Sequence, residues 1–152
     1  MLRRFAVITV LSVVLVASVA AIASAAVTFH QGPTCRDIGT QLQCTGNVSG
    51  LGNENLSVTV TAQGTGTVTC TNPAGNVAPG QTFTTDVSGT QSGISPKNGR
   101  ASFDVTTTAP TAPAGSCPNP KWKAAVTDVT FTGATITGTQ AGQTVFTENV
   151  TL

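Results

Sequence analysis

A period of two runs through most of this chain and limits what it can fold into. Leu56, Val58, Val60 and Ala62 alternate with Ser57, Thr59 and Thr61. Val68 and Cys70 alternate with Thr67, Thr69 and Thr71, and Val129 and Phe131 with Thr130 and Thr132. Phe83, Ser102-Phe103-Asp104-Val105 and Phe146, Glu148 and Val150 continue the theme. Side chains of a strand point to opposite faces in turn, so this pattern makes half-buried strands with one wet face. Threonine is β-branched and suits that face. Beyond residue 25 no segment sustains a helical period.

Glycine and proline clusters punctuate the alternation at Gly50-Leu51-Gly52-Asn53, Gly64-Thr65-Gly66, Asn72-Pro73-Ala74-Gly75, Ala78-Pro79-Gly80 and Gly138 to Gly142. Read as turns, they divide the chain into about eight strands: 26–31, 41–50, 55–63, 66–71, 81–88, 100–107, 122–138 and 143–151. Many short strands between turn signals indicate an all-β fold, an Ig-like antiparallel β-sandwich of about seven to eight strands. The 122–138 run changes phase: Trp122, Ala124 and Val126 are even, Val129 and Phe131 odd. One extra residue near Thr127-Asp128, a β-bulge, repairs it; a strand that switches sheets there is the other solution. Four prolines in 108–120 forbid a central strand and leave an extended connection.

The N-terminus has another character. Arg3 and Arg4 precede an uncharged, mostly apolar run from Phe5 to Ile22, closed by Ala23-Ser24-Ala25. Positive, apolar, then small is the layout of a secretory signal peptide. The expected organisation is therefore a signal peptide over 1–25 and one β-sandwich domain over 26–152, secreted or at the cell surface. The apolar run also approaches the roughly 20 residues that span a bilayer, so an uncleaved anchor is the competing reading and the one route to a membrane.

Cleavage after Ala25 leaves 127 residues, 27 of them threonine. Five Lys and Arg stand against six Asp and Glu, a net charge of −1. So sparse a charge gives no basic face for nucleic acid. All four cysteines, Cys35, Cys44, Cys70 and Cys117, lie in this part. An even count in an exported domain reads as two disulfides, with three connectivities available. Cys35 and Cys44 are close across the turn-like Arg36-Asp37-Ile38-Gly39, which favours Cys35–Cys44 and Cys70–Cys117. A metal site is the rival use of cysteine, but there is no C-x-x-C pair and one histidine, His30.

The sequence offers little chemistry. A Ser-His-Asp triad would depend on His30 alone, and the six acids are scattered without a motif. No catalytic residue, metal or cofactor is assigned. The chain has no tyrosine, and its phenylalanines follow the strand period, so Trp122 is the sole candidate for a ligand platform. Strand parity sends Trp122 inward and Lys121 and Lys123 outward. Cys117-Pro118-Asn119-Pro120-Lys121-Trp122-Lys123 then reads as a disulfide-locked corner whose tryptophan enters the core. Asn47, Asn55 and Asn149 head N-glycosylation sequons, which matter in a host that glycosylates them.

The signal peptide, Val68-Thr69-Cys70-Thr71-Asn72-Pro73 with Ala78-Pro79-Gly80, and Cys117-Pro118-Asn119-Pro120-Lys121-Trp122 together resemble small exported bacterial β-sandwich proteins of unassigned function. The resemblance covers most of the mature chain and implies no catalytic residue. The expected function is non-enzymatic, structural or adhesive, with other extracellular proteins or glycans as partners. A carbohydrate-binding module is the second expectation. A small hydrolase, or an inhibitor working through 108–120, is the third.

Overall fold

The computed structural model describes residues 26–152, so the signal peptide expected over 1–25 lies outside the described residues. The described chain has eight strands and no helix. They are β1 (Thr28–Asp37), β2 (Leu42–Ser49), β3 (Leu56–Thr71), β4 (Val77–Pro79), β5 (Phe83–Ile94), β6 (Arg100–Thr106), β7 (Lys123–Gln140) and β8 (Gln143–Thr151). A three-stranded sheet has the order β1-β2-β6. A second sheet is centred on β3, with β7 and then β8 on one side and β4 and β5 on the other. All pairings are antiparallel. The fold is the expected β-sandwich, and both favoured disulfides are formed.

β3 shows why the chain folds this way. Over its sixteen residues every second position is buried, without exception. Leu56, Val58, Val60 and Ala62 meet Leu42, Cys44 and Val48 of β2, Phe103 and Val105 of β6, and Ile136 of β7 in one core. Burying each Val or Leu contributes about 1.5–3 kcal/mol, so the alternation alone fixes which face looks inward. Phe146 joins the rings of Phe29, edge to face at 5.1 Å, and Phe103, stacked at 6.5 Å.

Gly64-Thr65-Gly66 is not the turn its composition suggested; β3 runs straight through it. A Cβ at Gly64 would sit 2.7 Å from Val129 Cγ1, and one at Gly66 would sit 2.5 Å from Phe83 Cε1. These glycines make room on the buried face for neighbouring side chains. Likewise β7 continues through Gly138 to Gln140, and the hairpin to β8 is the two-residue Ala141-Gly142, at φ 48° and 77°. Two successive residues with positive φ are what such a hairpin requires. The Ala78-Pro79-Gly80 cluster contains the short β4 rather than a turn.

The bulge expected near Thr127-Asp128 is present. Thr67 pairs with Asp128 and Val68 with Val126, leaving Thr127 as the extra residue. Its hydroxyl donates to the Thr67 carbonyl at 3.3 Å. A second bulge follows: Gln63 pairs with Gly133 and Gly64 with Phe131, so Thr132 is extra too. It returns Ala134, Ile136 and Gly138 to the buried phase.

β3 and β7 are about twice as long as β2 and β6, so the larger sheet overhangs the smaller. The overhang is roofed by the irregular segment 107–122. Cys117 bonds to the fully buried Cys70, Gly80 fits between Val68, Cys70 and the Ser116 carbonyl, and Gln81 N–H donates to Ser116 O at 3.0 Å. Cys35–Cys44 instead links paired positions of β1 and β2. Neither bridge joins the two sheets, unlike the central bridge of antibody domains.

Where segment 107–122 leaves β6, Thr107 is buried and tied to β2. Leu42 N–H donates to Thr107 Oγ1 and Thr107 N–H to Leu42 O, both at 2.9 Å. Thr107→Val keeps the shape but strands a buried N–H, which costs about 2 kcal/mol. The check is a urea titration, with Thr106→Val on the exposed neighbour as the control that stays near wild type.

The open edges differ. β1 carries Pro33 and two register shifts, and β8 pairs only with β7. Glu148 lies opposite the buried Ile136, so β8 turns a carboxylate toward the core side between Phe146 and Val150. The remaining flank is a seam between β5 and β6, where Thr108 N–H donates to Ser88 O and Asp104 N–H to Gln91 Oε1, both at 2.9 Å.

Candidate functional site

The outward positions of the larger sheet line up across four strands. One row is Thr90, Thr59, Thr137 and Thr147; the next is Ser88, Thr61, Thr135 and Asn149. The third is Asp86, Gln63, Gly133 and Thr151. Directly opposed side chains interact across a sheet. Thr59 and Thr90 share a hydroxyl hydrogen bond of 2.9 Å, Gln63 Nε2 donates to Asp86 Oδ1 at 3.1 Å, and Thr135 Oγ1 donates to Asn149 Oδ1 at 2.8 Å.

The third row is interrupted where Gly133 has no side chain. The bulge at Thr132 brings Gly133 close to β8, and a Cβ there would sit 2.9 Å from Val150 O. The gap opens a trough of about 550 Å³, walled by Thr61, Gln63, Asp86, Ser88, Thr135 and Asn149. Among the described residues, the second Asp86 oxygen, the Asn149 amide nitrogen and the Gln63 amide oxygen keep free hydrogen-bonding capacity. Beside these hydroxyl, amide and carboxylate groups the trough is lined by Ala62, Val87, Ala134 and Val150, and by no ring.

Sequence reasoning missed this site. Its signal was the second phase slip, odd at Phe131 and even at Ile136, with a glycine between them. The slip marks a bulge, and the glycine marks the depression beside it.

Trp122 lies elsewhere and does not enter the core. β7 begins at Lys123, so strand parity does not govern Trp122. It is half-buried in the turn before β7, donating its N–H to Asn119 O at 3.0 Å, while Asn119 Oδ1 accepts from Lys121 N–H at 2.9 Å. An Asx-type turn shapes this corner, and the ring is not among the core residues. Lys121 and Lys123 are exposed, as expected, although Lys121 precedes the strand and Lys123 to Ala125 are all exposed, so alternation is not the cause.

On the outer face of the smaller sheet, His30, Lys97, Arg100, Asn47 and Ser102 line a groove of about 560 Å³. Two serines line that groove as well: Ser102 Oγ donates to Asn47 Oδ1 at 2.6 Å and Ser95 Oγ to Asn55 Oδ1 at 3.2 Å. Along the same sheet Arg36 donates to Gln43 Oε1, and Gln43 Nε2 to Asp104 Oδ1, at 2.6–2.8 Å. Among the described residues no three His, Cys, Asp or Glu side chains gather as metal ligands would. No family model, curated protein or solved structure matches this chain.

Proposed function

We propose that this is an exported, non-catalytic β-sandwich with a structural or adhesive role, working through the outer face of β3, β5, β7 and β8. The observation that carries this reading is the four-strand array of threonine, serine, asparagine and glutamine side chains. An array of short hydroxyls loses little side-chain entropy on contact and offers a donor and two acceptors per residue. The two disulfides fit an oxidising compartment, as the signal-peptide pattern does. The antiparallel two-sheet architecture supports the Ig-like sandwich reading, and the likeness to small exported bacterial β-sandwich proteins is part of the same proposal.

Two features support binding rather than turnover. The trough has one carboxylate among its walls, Asp86, where a glycosidase uses two. The two serines that share a groove with His30, Ser95 and Ser102, are bonded to amides rather than to the imidazole.

The test is retention of the exported chain on the envelope of its own cells, measured by pelleting. Thr61→Lys with Thr147→Lys puts two charges on exposed positions of the array that are two strands apart and not opposed. Retention falls at least tenfold while the melting temperature moves little, because both sites lie on the solvent face. Unchanged retention removes this face from the reading.

The trough favours a second reading, a seat for a polyhydroxylated ligand such as a glycan. Asp86 and Asn149 would hold sugar hydroxyls from opposite walls. A glycan array that stays blank for the wild type removes this second reading and leaves the first intact.

A further inference from the structure

Of the 27 threonines in the mature chain, five lie outside strands: Thr40, Thr82, Thr107, Thr108 and Thr111. Their surroundings separate them. Thr107 is buried with its hydroxyl accepting from Leu42 N–H. Thr108 donates its hydroxyl to Ser88 O at 3.2 Å and its N–H to the same oxygen. Thr40 is half-buried in the β1–β2 turn. Thr82 is exposed and has no hydrogen-bond partner among the described residues, but it is held between Gln81, tied to Ser116, and Phe83, where β5 begins. Thr111 is exposed, and neither its hydroxyl nor its backbone N–H has a partner among the described residues.

Thr111 sits in Thr108-Ala109-Pro110-Thr111-Ala112-Pro113, with a proline directly before it and another two residues after. The prolines fix φ and hold the backbone extended without internal hydrogen bonds. The segment is anchored at both ends. Thr107 and Thr108 bind β2 and β5 on one side. On the other, Ser116 Oγ donates to Pro113 O at 2.7 Å, and Cys117 is bonded to Cys70. Between the anchors, residues 109–112 stand clear of both sheets' hydrogen-bond ladders.

We propose that Thr111 is an O-glycosylation site, its hydroxyl taking a hexose from a lipid-phosphate-activated sugar as the chain is exported. A transferase must lay the acceptor's backbone in its own cleft. A strand threonine resists this, because its backbone is committed to a ladder on at least one side. The 109–112 segment needs no unfolding, and its proline-set conformation leaves little entropy to lose on binding. Ala109 and Ala112 flank the site with methyl groups, which leaves room for a sugar ring. Threonine with proline in an irregular stretch is also the composition of O-glycosylated segments.

The step balances without redox chemistry. Thr111 Oγ1 bonds to the anomeric carbon, and the bond from that carbon to phosphate oxygen breaks. The lipid phosphate leaves with the electron pair, and the hydroxyl proton passes to a carboxylate of the transferase. The product covers the longest irregular segment of the described chain, where an exposed backbone invites proteolytic nicking.

The inference rests on the export reading, and one experiment separates the two. The full chain is expressed in the cell that naturally produces it, recovered from medium, envelope and cytoplasm, and its mass measured intact and after trypsin. The tryptic peptide 101–121 contains Thr111. We expect hexose increments on that peptide in the exported wild type, in Thr111→Ser and in Thr82→Ala, and their complete loss in Thr111→Ala. An exported chain of unmodified mass, or sugar that persists on Thr111→Ala, overturns this inference alone. A chain found only in the cytoplasm overturns the export reading and this inference with it.

Discussion

Replacing Cys70 and Cys117 together by alanine lowers stability by about 4 kcal/mol, the loop-closure entropy of a bridge this long. The two residues are 47 apart, whereas Cys35 and Cys44 are 9 apart, for which the same relation gives about 3 kcal/mol. For a domain of this size the loss of the longer bridge is roughly 15 °C in melting temperature. Both cysteines are replaced so that no free thiol confuses the result. The change acts locally as well. Without the bridge, segment 107–122 loses its anchor over the overhang, and Val68 loses its cover. Limited proteolysis then cuts within 109–116 while β1, β2 and β6 stay protected. A double variant within about 1 kcal/mol of wild type in urea would show that the prolines and the Ser116 hydrogen bonds hold the roof unaided.

Gly89→Ala is expected to cost about 3 kcal/mol, the upper part of the range for overpacking. Gly89 lies on β5 at the seam with β6. A Cβ there would collide with the Thr106 carbonyl oxygen and come within 2.9 Å of Thr107 Cα. These are backbone atoms, and they belong to a segment fixed by Thr107 to β2 and by Thr108 to Ser88. They cannot yield without opening the seam. Gly46 provides the comparison. A Cβ at Gly46 comes within 2.6 Å of Phe103 Cζ, the tip of a ring that can tilt away. Gly46→Ala should therefore cost about half as much, near 1–2 kcal/mol. Equal losses for the two variants in parallel urea titrations would sink the argument that the seam is rigid.

The fold was legible because its main signal is redundant. The alternation in β3 repeats over sixteen residues, so one strand sufficed to identify the buried face. The Thr127 bulge was visible because a phase change between two apolar runs has few structural solutions. The glycines misled. Gly64 and Gly66 carry no mark in the sequence to distinguish room for a ring from a turn; the difference lies in Val129, Phe131 and Phe83, contributed by other strands. Trp122 was misplaced for a related reason. Strand parity holds only inside a strand, and the boundary at Lys123 was set by Asn119 capping its own turn. The trough needs four strands in register before Gly133 becomes a depression, so only half of its signal is local.

Glu148 bears on how the protein stays dispersed. Residues 26–152 carry a net charge of −1, so copies repel each other weakly through them, and long-range charge gives little protection against clumping. A β-rich molecule in that position depends on its rims. β1 is spoiled as a template by Pro33 and its two irregularities, and the β5–β6 flank is closed on itself. β4 is three residues long and includes Pro79, which leaves β8, where a second copy joining the sheet would have to pack beside an inward-turned carboxylate. One charged side chain on the last strand thus does for colloidal stability what the sparse surface charge cannot.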